Sequence, residues 1–292
     1  MLPDELLKKV RRIEITTRKM VNDVMSGRYR SHFKGHGVQF SEHRLYVPGD
    51  DVRHIDWKVS ARSRDPVIKK YEEERELTVF LVVDVSGSEA FGSTRKLKSE
   101  IAAEIAGMIA YAATHTGDKV GVLLFAGEVE KLVKPKKGRQ HVLRIIRDLL
   151  SHEPKSRGTN LAGALEAAGR VMKHSGIIFI ISDFIAENYE LPLKRLARRH
   201  DVVAVCVEDQ RESEIPDVGY VHFADPETGV ERFVNTGSYQ FKKWLKDYRT
   251  SHETDIQTAL KGGRIEQLRI QTKDDHAEAV VRFFRARSKH RR

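Results

Sequence analysis

Three short segments, Asp84-Val-Ser86-Gly-Ser88, Arg157-Gly-Thr159-Asn160 and Ser182-Asp183-Phe184, carry the side-chain types that hold a hard divalent cation. Asp84 and Asp183 supply two carboxylates, and Ser86, Ser88 and Thr159 supply hydroxyls. Oxygen donors of this kind suit Mg²⁺, with Mn²⁺ or Ca²⁺ as related choices. Each fragment alone is common. Their order, and the elements that carry them, make the signal.

Those elements are apolar runs. Thr78-Val-Phe-Leu-Val-Val83 precedes Asp84, and Ile177-Ile-Phe-Ile-Ile181 precedes Ser182-Asp183. Continuous runs of this length read as strands buried on both faces. Asp84 and Asp183 then leave the carboxyl ends of two central strands, the edge where open α/β sheets bind ligands.

The trio resembles the metal-ion-dependent adhesion site of von Willebrand factor A domains, whose signature is Asp-x-Ser-x-Ser, a later Thr and a later Asp. The preceding block, Tyr46-Val-Pro48-Gly49-Asp50-Asp51-Val-Arg53-His-Ile55-Asp56-Trp57 onward to Lys70-Tyr71-Glu72-Glu73-Glu74, resembles the domain-of-unknown-function 58 family, whose members carry it just ahead of an A-type domain. The resemblance covers roughly residues 25 to 210. It implies that Ser86, Ser88 and Thr159 touch the ion, and that Asp84 and Asp183 bind partly through water. One coordination position then stays open to an Asp or Glu from another protein. It also implies a MoxR-type AAA+ ATPase as partner and an adaptor or co-chaperone role in protein assembly or maturation. One departure stands out: the position after Ser88, often Met in A domains, is Glu89. Its carboxylate either competes with an outside ligand or points to water.

The fold expected is α/β, a doubly wound, mostly parallel Rossmann-like sheet with one antiparallel edge strand and an N-terminal extension. Residues 1–75 form that extension, and residues 76–292 form the A-like domain. Apolar spacing predicts a helix over residues 3–25, ended by Gly27. Residues 28–75 read as irregular, anchored by Trp57 and Tyr71. The alternating signs of Arg53, Asp56, Arg62 and Lys70 suggest an internal ion-pair network. Glu72-Glu73-Glu74 reads as a solvated run.

Strands are then expected at 77–83, 119–125, 129–133, 177–182, 201–207 and 264–270, with helices near 94–115, 139–150, 161–173, 189–199, 239–260 and 276–288. The loop Ala126-Gly127 is too short for a crossover, so the strand that follows must run antiparallel. Tyr220–Phe223 and Val230–Val234 read as a hairpin insertion.

The chain has 292 residues, 40% hydrophobic and 32% charged, with a formal net charge of +10. That length supports one large core, or one domain with an elaboration. Positive charge clusters at Lys8–Arg12, Lys134–Arg139 and Arg282–Arg292. Such clusters attract acidic partners, including nucleic acid and anionic lipid. Aromatic residues are not interleaved with them as stacking platforms require, so nucleic-acid or lipid binding is possible but not favoured. The single cysteine, Cys206, excludes an internal disulfide and reads as a small apolar residue in a strand. No apolar stretch approaches the roughly 20 residues that cross a bilayer. A cytoplasmic protein, at most peripheral to a membrane, is expected.

An alternative for the same residues is a Mg²⁺-dependent phosphoesterase. The chain lacks GxxxxGK[ST], GxGxxG after a strand, HExxH and a nucleophile elbow. A binding module rather than an enzyme is the expectation.

Overall fold

The computed structural model describes residues 8, 10–15, 17, 39–62, 65–72, 77–93, 96–225, 227 and 229–290. The chain divides into two compact units, residues 1–28 with 78–292, and residues 29–77.

The smaller unit is more regular than its sequence suggests. Strands β1 (Gln39–Leu45) and β2 (Val67–Glu72) pair antiparallel, and the short helix α1 (Trp57–Ser60) lies between them in sequence. The expectation of an irregular block fails because both strands are mostly polar and lack a clean apolar alternation. Asp56 caps α1 by accepting from the amides of Lys58 and Val59, and it also meets His43 Nε2 at 3.1 Å. Arg44 forks onto Asp50 at 2.7 and 2.9 Å, and Arg53 pairs with Asp51. Ion pairs therefore form here, with other partners than the alternation of signs suggests. Trp57 is 69% exposed and anchors nothing. The side chains of Lys70 and Tyr71, and all of Glu73 and Glu74, lie outside the described residues, as does the predicted helix end at Gly27.

In the larger unit, β3 (Thr78–Asp84), β4 (Lys119–Phe125), β5 (Val129–Lys136), β6 (Ile177–Ile181), β7 (Asp201–Glu208) and β10 (Glu266–Gln271) form one sheet. Its order is β10-β7-β6-β3-β4-β5. All neighbours are parallel except β4 and β5, the antiparallel edge pair. This is the von Willebrand factor A-like arrangement read from the sequence.

The crossovers carry α2 (Lys98–His115), α3 (Arg139–Leu150), α4 (Leu161–Val171), α5 (Glu190–Ala197) and α7 (Tyr239–Gly263), with the short α6 (Gln210–Ser213) after β7 and α8 (His276–His290) following the last strand. Most ends fall within a few residues of expectation. α2 starts four residues late, at Lys98, with Leu97 at its N-cap, and Gly117 closes its far end at φ +80°.

Alternate strand residues face opposite sides. Phe80, Val82, Leu123, Phe125, Ile178, Ile180, Ala204 and Cys206 pack in one cluster with α4, α5 and α7. Val79, Leu81 and Val83 take the other face and are also fully buried. Each such side chain contributes about 1.5–3 kcal/mol relative to exposure. Among the described N-terminal residues, 10–15 are helical and Ile13 is buried.

From β3 the chain proceeds outward through β4 to β5, then returns to place β6 on the other side of β3. That reversal opens a crevice at the carboxyl ends of β3 and β6. The insertion after β7 forms the hairpin β8 (Tyr220–Ala224) and β9 (Glu231–Asn235).

Candidate metal centre

Asp84 ends β3, and Asp183 lies two residues beyond β6; both side chains are buried. Asp84 is tied down through both oxygens: Oδ1 accepts from the Ser86 amide at 2.9 Å and Oδ2 from the Ser182 hydroxyl at 2.7 Å. Asp183 Oδ1 accepts from the Ile185 amide at 3.0 Å. Phe184, between them, sits in the left-handed region at φ 59° and is fully buried. A bulky residue adopts that conformation only when its surroundings impose it. Here the kink turns the chain so that Asp183 faces the crevice.

The loop after β3 is a turn of 3-10 helix, Gly87–Ala90, with Ser86 at its N-cap. It brings the Ser86 and Ser88 hydroxyls to 3.1 Å from each other. It also turns Glu89 inward: this side chain is 1% exposed and does not point to water. Ligand oxygens of Asp84, Glu89 and Asp183 lie within 4.8 Å of one another.

Thr159 reaches the same sheet edge by a different route. Asn160 donates its amide to Ala126 O at 2.7 Å, just past β4, and its side chain caps α4 by accepting from the Gly163 amide. The Thr159 hydroxyl, however, donates to Glu227 Oε1 at 2.7 Å, in the turn between β8 and β9. Asp84, Ser86, Ser88 and Asp183 are thus held by one connected set of contacts, while Thr159 is engaged by the hairpin.

The residue that sequence reasoning missed is Lys98. It is wholly buried, and its ammonium lies 2.9 Å from Asp183 Oδ2, 3.0 Å from Glu212 Oε1 and 3.6 Å from Glu89 Oε1. It opens the first turn of α2, where the helix dipole disfavours a cation, so the carboxylates must hold it there. Burial alone would lower its pKa, but Glu89, Asp183 and Glu212 raise it well above the ordinary lysine value. Burial raises the Asp84 pKa, and the Asp183 carboxylate adds to the rise against hydrogen bonds from Ser86 and Ser182. Burial likewise raises Glu89 well above the usual carboxylate range, with the Lys98 charge opposing.

The donor chemistry fits a hard divalent ion. Three buried carboxylates face one buried ammonium, and a divalent cation would close that deficit. Both Glu89 oxygens are buried without a hydrogen-bond donor.

An apolar groove of about 1110 Å³ adjoins the centre, lined among others by Phe91, Glu212, Val221, Phe223, Trp244 and Tyr248. Along α7, Phe241, Trp244, Tyr248 and His252 stack in sequence at 5.9, 5.6 and 6.3 Å between ring centroids. The row ends at the metal centre, where His252 Nε2 lies 3.2 Å from Asp183 O. Trp244 and Tyr248 are 57% and 45% exposed, an uncommon cost for a surface without a partner.

Residues 42–255 match the family described as Protein of unknown function DUF58. The chain belongs to that family. This DUF58 chain is 33% identical over 290 residues to the uncharacterized protein Mb1516 of Mycobacterium bovis, covering 97% of itself and 90% of that protein. Uncharacterized protein YeaD of Bacillus subtilis is 29% identical over 106 residues, 36% of this chain and 24% of that one. Among solved structures, an aerotolerance-related membrane protein from Bacteroides fragilis superposes with a TM-score of 0.52 at 18% identity, covering 73% of this chain and 99% of its own. BatB from Bacteroides thetaiotaomicron gives 0.50 at 16% identity, over 73% and 99%. These likenesses concern the fold. Among the described residues of the DUF58 chain, no helix is long and apolar enough to cross a membrane.

Proposed function

We propose that this chain captures an acidic side chain of a protein partner through a Mg²⁺-type ion, acting in the cytoplasm as an adaptor or co-chaperone of a MoxR-type AAA+ ATPase. The observation that carries the reading is the excess of buried carboxylate over buried ammonium at the sheet's carboxyl edge. Family resemblance supplies the ATPase, and the apolar groove beside the centre supports a protein rather than a small anion as the occupant.

When bound, the ion supplies the positive charge on which a partner carboxylate closes. Asp84, Ser86, Ser88 and Asp183 would hold it, with Thr159 joining on release from Glu227. Ser182 and the Ser86 amide orient Asp84. Lys98 keeps the acids from repelling one another. The exposed aromatic row on α7 would contribute apolar contact and thereby specificity.

We read the chain as a binder rather than an enzyme, because among the described residues the hydroxyls beside the carboxylates are engaged by other groups than a histidine base: Ser86 with Ser88, and Ser182 with Asp84. Binding of nucleic acid by the basic tail is disfavoured: Arg287 is buried, pairs with Asp201, and meets Glu266 at 3.1 Å.

A pull-down from cell lysate, with and without chelator and at two salt concentrations, tests the proposal. Capture that chelator abolishes and moderate salt spares supports it. Capture that ignores chelator and falls steeply with salt would mean phosphate-driven binding instead.

A further inference from the structure

Among the described residues, Glu89 is a buried carboxylate with both oxygens unsatisfied. Its carboxylate is 1% exposed, and neither oxygen accepts a hydrogen bond. Lys98 is its nearest cation at 3.6 Å, but that ammonium is drawn to 2.9 Å from Asp183 and 3.0 Å from Glu212. A buried carboxylate without donors is costly. Such a group in a folded protein calls for an unseen ion or water.

The placement supplies direction as well as cost. Glu89 belongs to the same turn as Ser86 and Ser88, and an oxygen of Glu89 lies within 4.8 Å of ligand oxygens of both Asp84 and Asp183. Oxygens around a six-coordinate ion of Mg²⁺ size, each about 2.1 Å from it, are separated by roughly 3–4 Å. Small side-chain adjustment therefore brings all three carboxylates onto one ion. The charge balance agrees, because Asp84, Glu89, Asp183 and the partly exposed Glu212 outnumber the Lys98 ammonium and leave room for a divalent cation.

We propose that Glu89 is a resident ligand of the divalent cation, a carboxylate from the chain itself in the position that a partner's acid must take. This deepens the proposed function and rests on its metal reading. A partner would bind by displacing Glu89 from the ion. The resting module is then self-satisfied, and the contact with a lone acid is weak. Only a partner that also fills the neighbouring aromatic groove would hold.

The test uses the full chain with Mn²⁺ in calorimetry and Tb³⁺ luminescence as a lanthanide probe of hard-oxygen sites. The decay rates of Tb³⁺ in H₂O and D₂O report the number of bound waters. Glu89→Gln keeps the shape and removes the charge; Glu89→Asp keeps the charge and shortens the reach. The expected result is weaker Mn²⁺ binding in Glu89→Gln, by on the order of tenfold or more. Its Tb³⁺ complex should hold about one additional water, and Glu89→Asp should fall between the two. Equal affinity and equal hydration in all three proteins would overturn the inference while leaving an ion held by Asp84 and Asp183 intact. Absence of Mn²⁺ binding in the unmodified chain would overturn both. If Glu89→Gln does not fold, Glu89→Asp decides by the same two readouts.

Discussion

Lys98 and Asp183, 85 positions apart, meet at 2.9 Å with side chains 0% and 5% exposed. An ion pair this deep is weak evidence for stability, because desolvating both charges offsets most of their attraction. It is strong evidence that the position is specified. The pair links the first turn of α2 to the end of β6 across the crevice where the acids converge.

Replacing Lys98 with Met should therefore destabilise the fold by about 3–5 kcal/mol, since Asp183 and Glu89 lose their buried cation. Millimolar Mg²⁺ should recover part of that loss, more than it adds to the unmodified protein. Urea titrations with and without Mg²⁺ measure both effects. A Lys98→Met variant as stable as the parent would show that the carboxylates are protonated and need no counter-charge.

The turn of the β8–β9 hairpin holds Thr159 through Glu227. Glu227→Ala should free that hydroxyl and strengthen Mn²⁺ binding by on the order of tenfold, the worth of one hydrogen bond to a charged group. Weaker binding in calorimetry would instead make Glu227 part of the ion's own surroundings.

Acid should loosen the far side of the sheet through Glu104. Burial would raise its pKa, but hydrogen bonds from His276 and Lys96 bring it down to about 2 from 4.5. A depressed folded-state value means its stabilisation is present above about pH 4.5 and is lost as pH falls toward 2. Glu104→Gln should flatten the pH dependence of unfolding free energy in that window. An unchanged slope would contradict the assignment.

Trimming residues 283–290 should lower the melting temperature. Phe284 lies edge-on to the buried Phe179 at 6.0 Å, and Arg287 pairs with Asp201. A truncated chain that melts like the full one would return this helix to the role of a free basic tail.

The site was partly legible in the sequence. Asp84 and Asp183 stand out because the apolar runs before them can only be interior strands. The antiparallel β5 follows from a loop too short to cross over. Lys98 does not stand out in the sequence, because it closes the basic stretch Arg95-Lys96-Leu97-Lys98 at the start of an amphipathic helix, where lysines are ordinarily solvent-exposed. Only the tertiary fold brings Glu212 and Asp183 around it. Glu89 was visible as an oddity in the motif, but its inward direction depends on the 3-10 turn. The β1–β2 pair has no legible alternation because its residues are mostly polar, and Trp57, an aromatic that would ordinarily be buried, is 69% exposed.

The central claim is that a divalent cation belongs among these carboxylates. Thermal melting of the unmodified chain and of Asp84→Asn, each in chelator and in excess Mg²⁺ or Mn²⁺, tests it most directly. Metal at about 100 times its dissociation constant stabilises the folded state by roughly 2.7 kcal/mol. The account predicts a rise of several degrees in the parent, and none in a folded Asp84→Asn. A parent whose melting temperature ignores the metal, or an Asp84→Asn variant that responds equally, would contradict it.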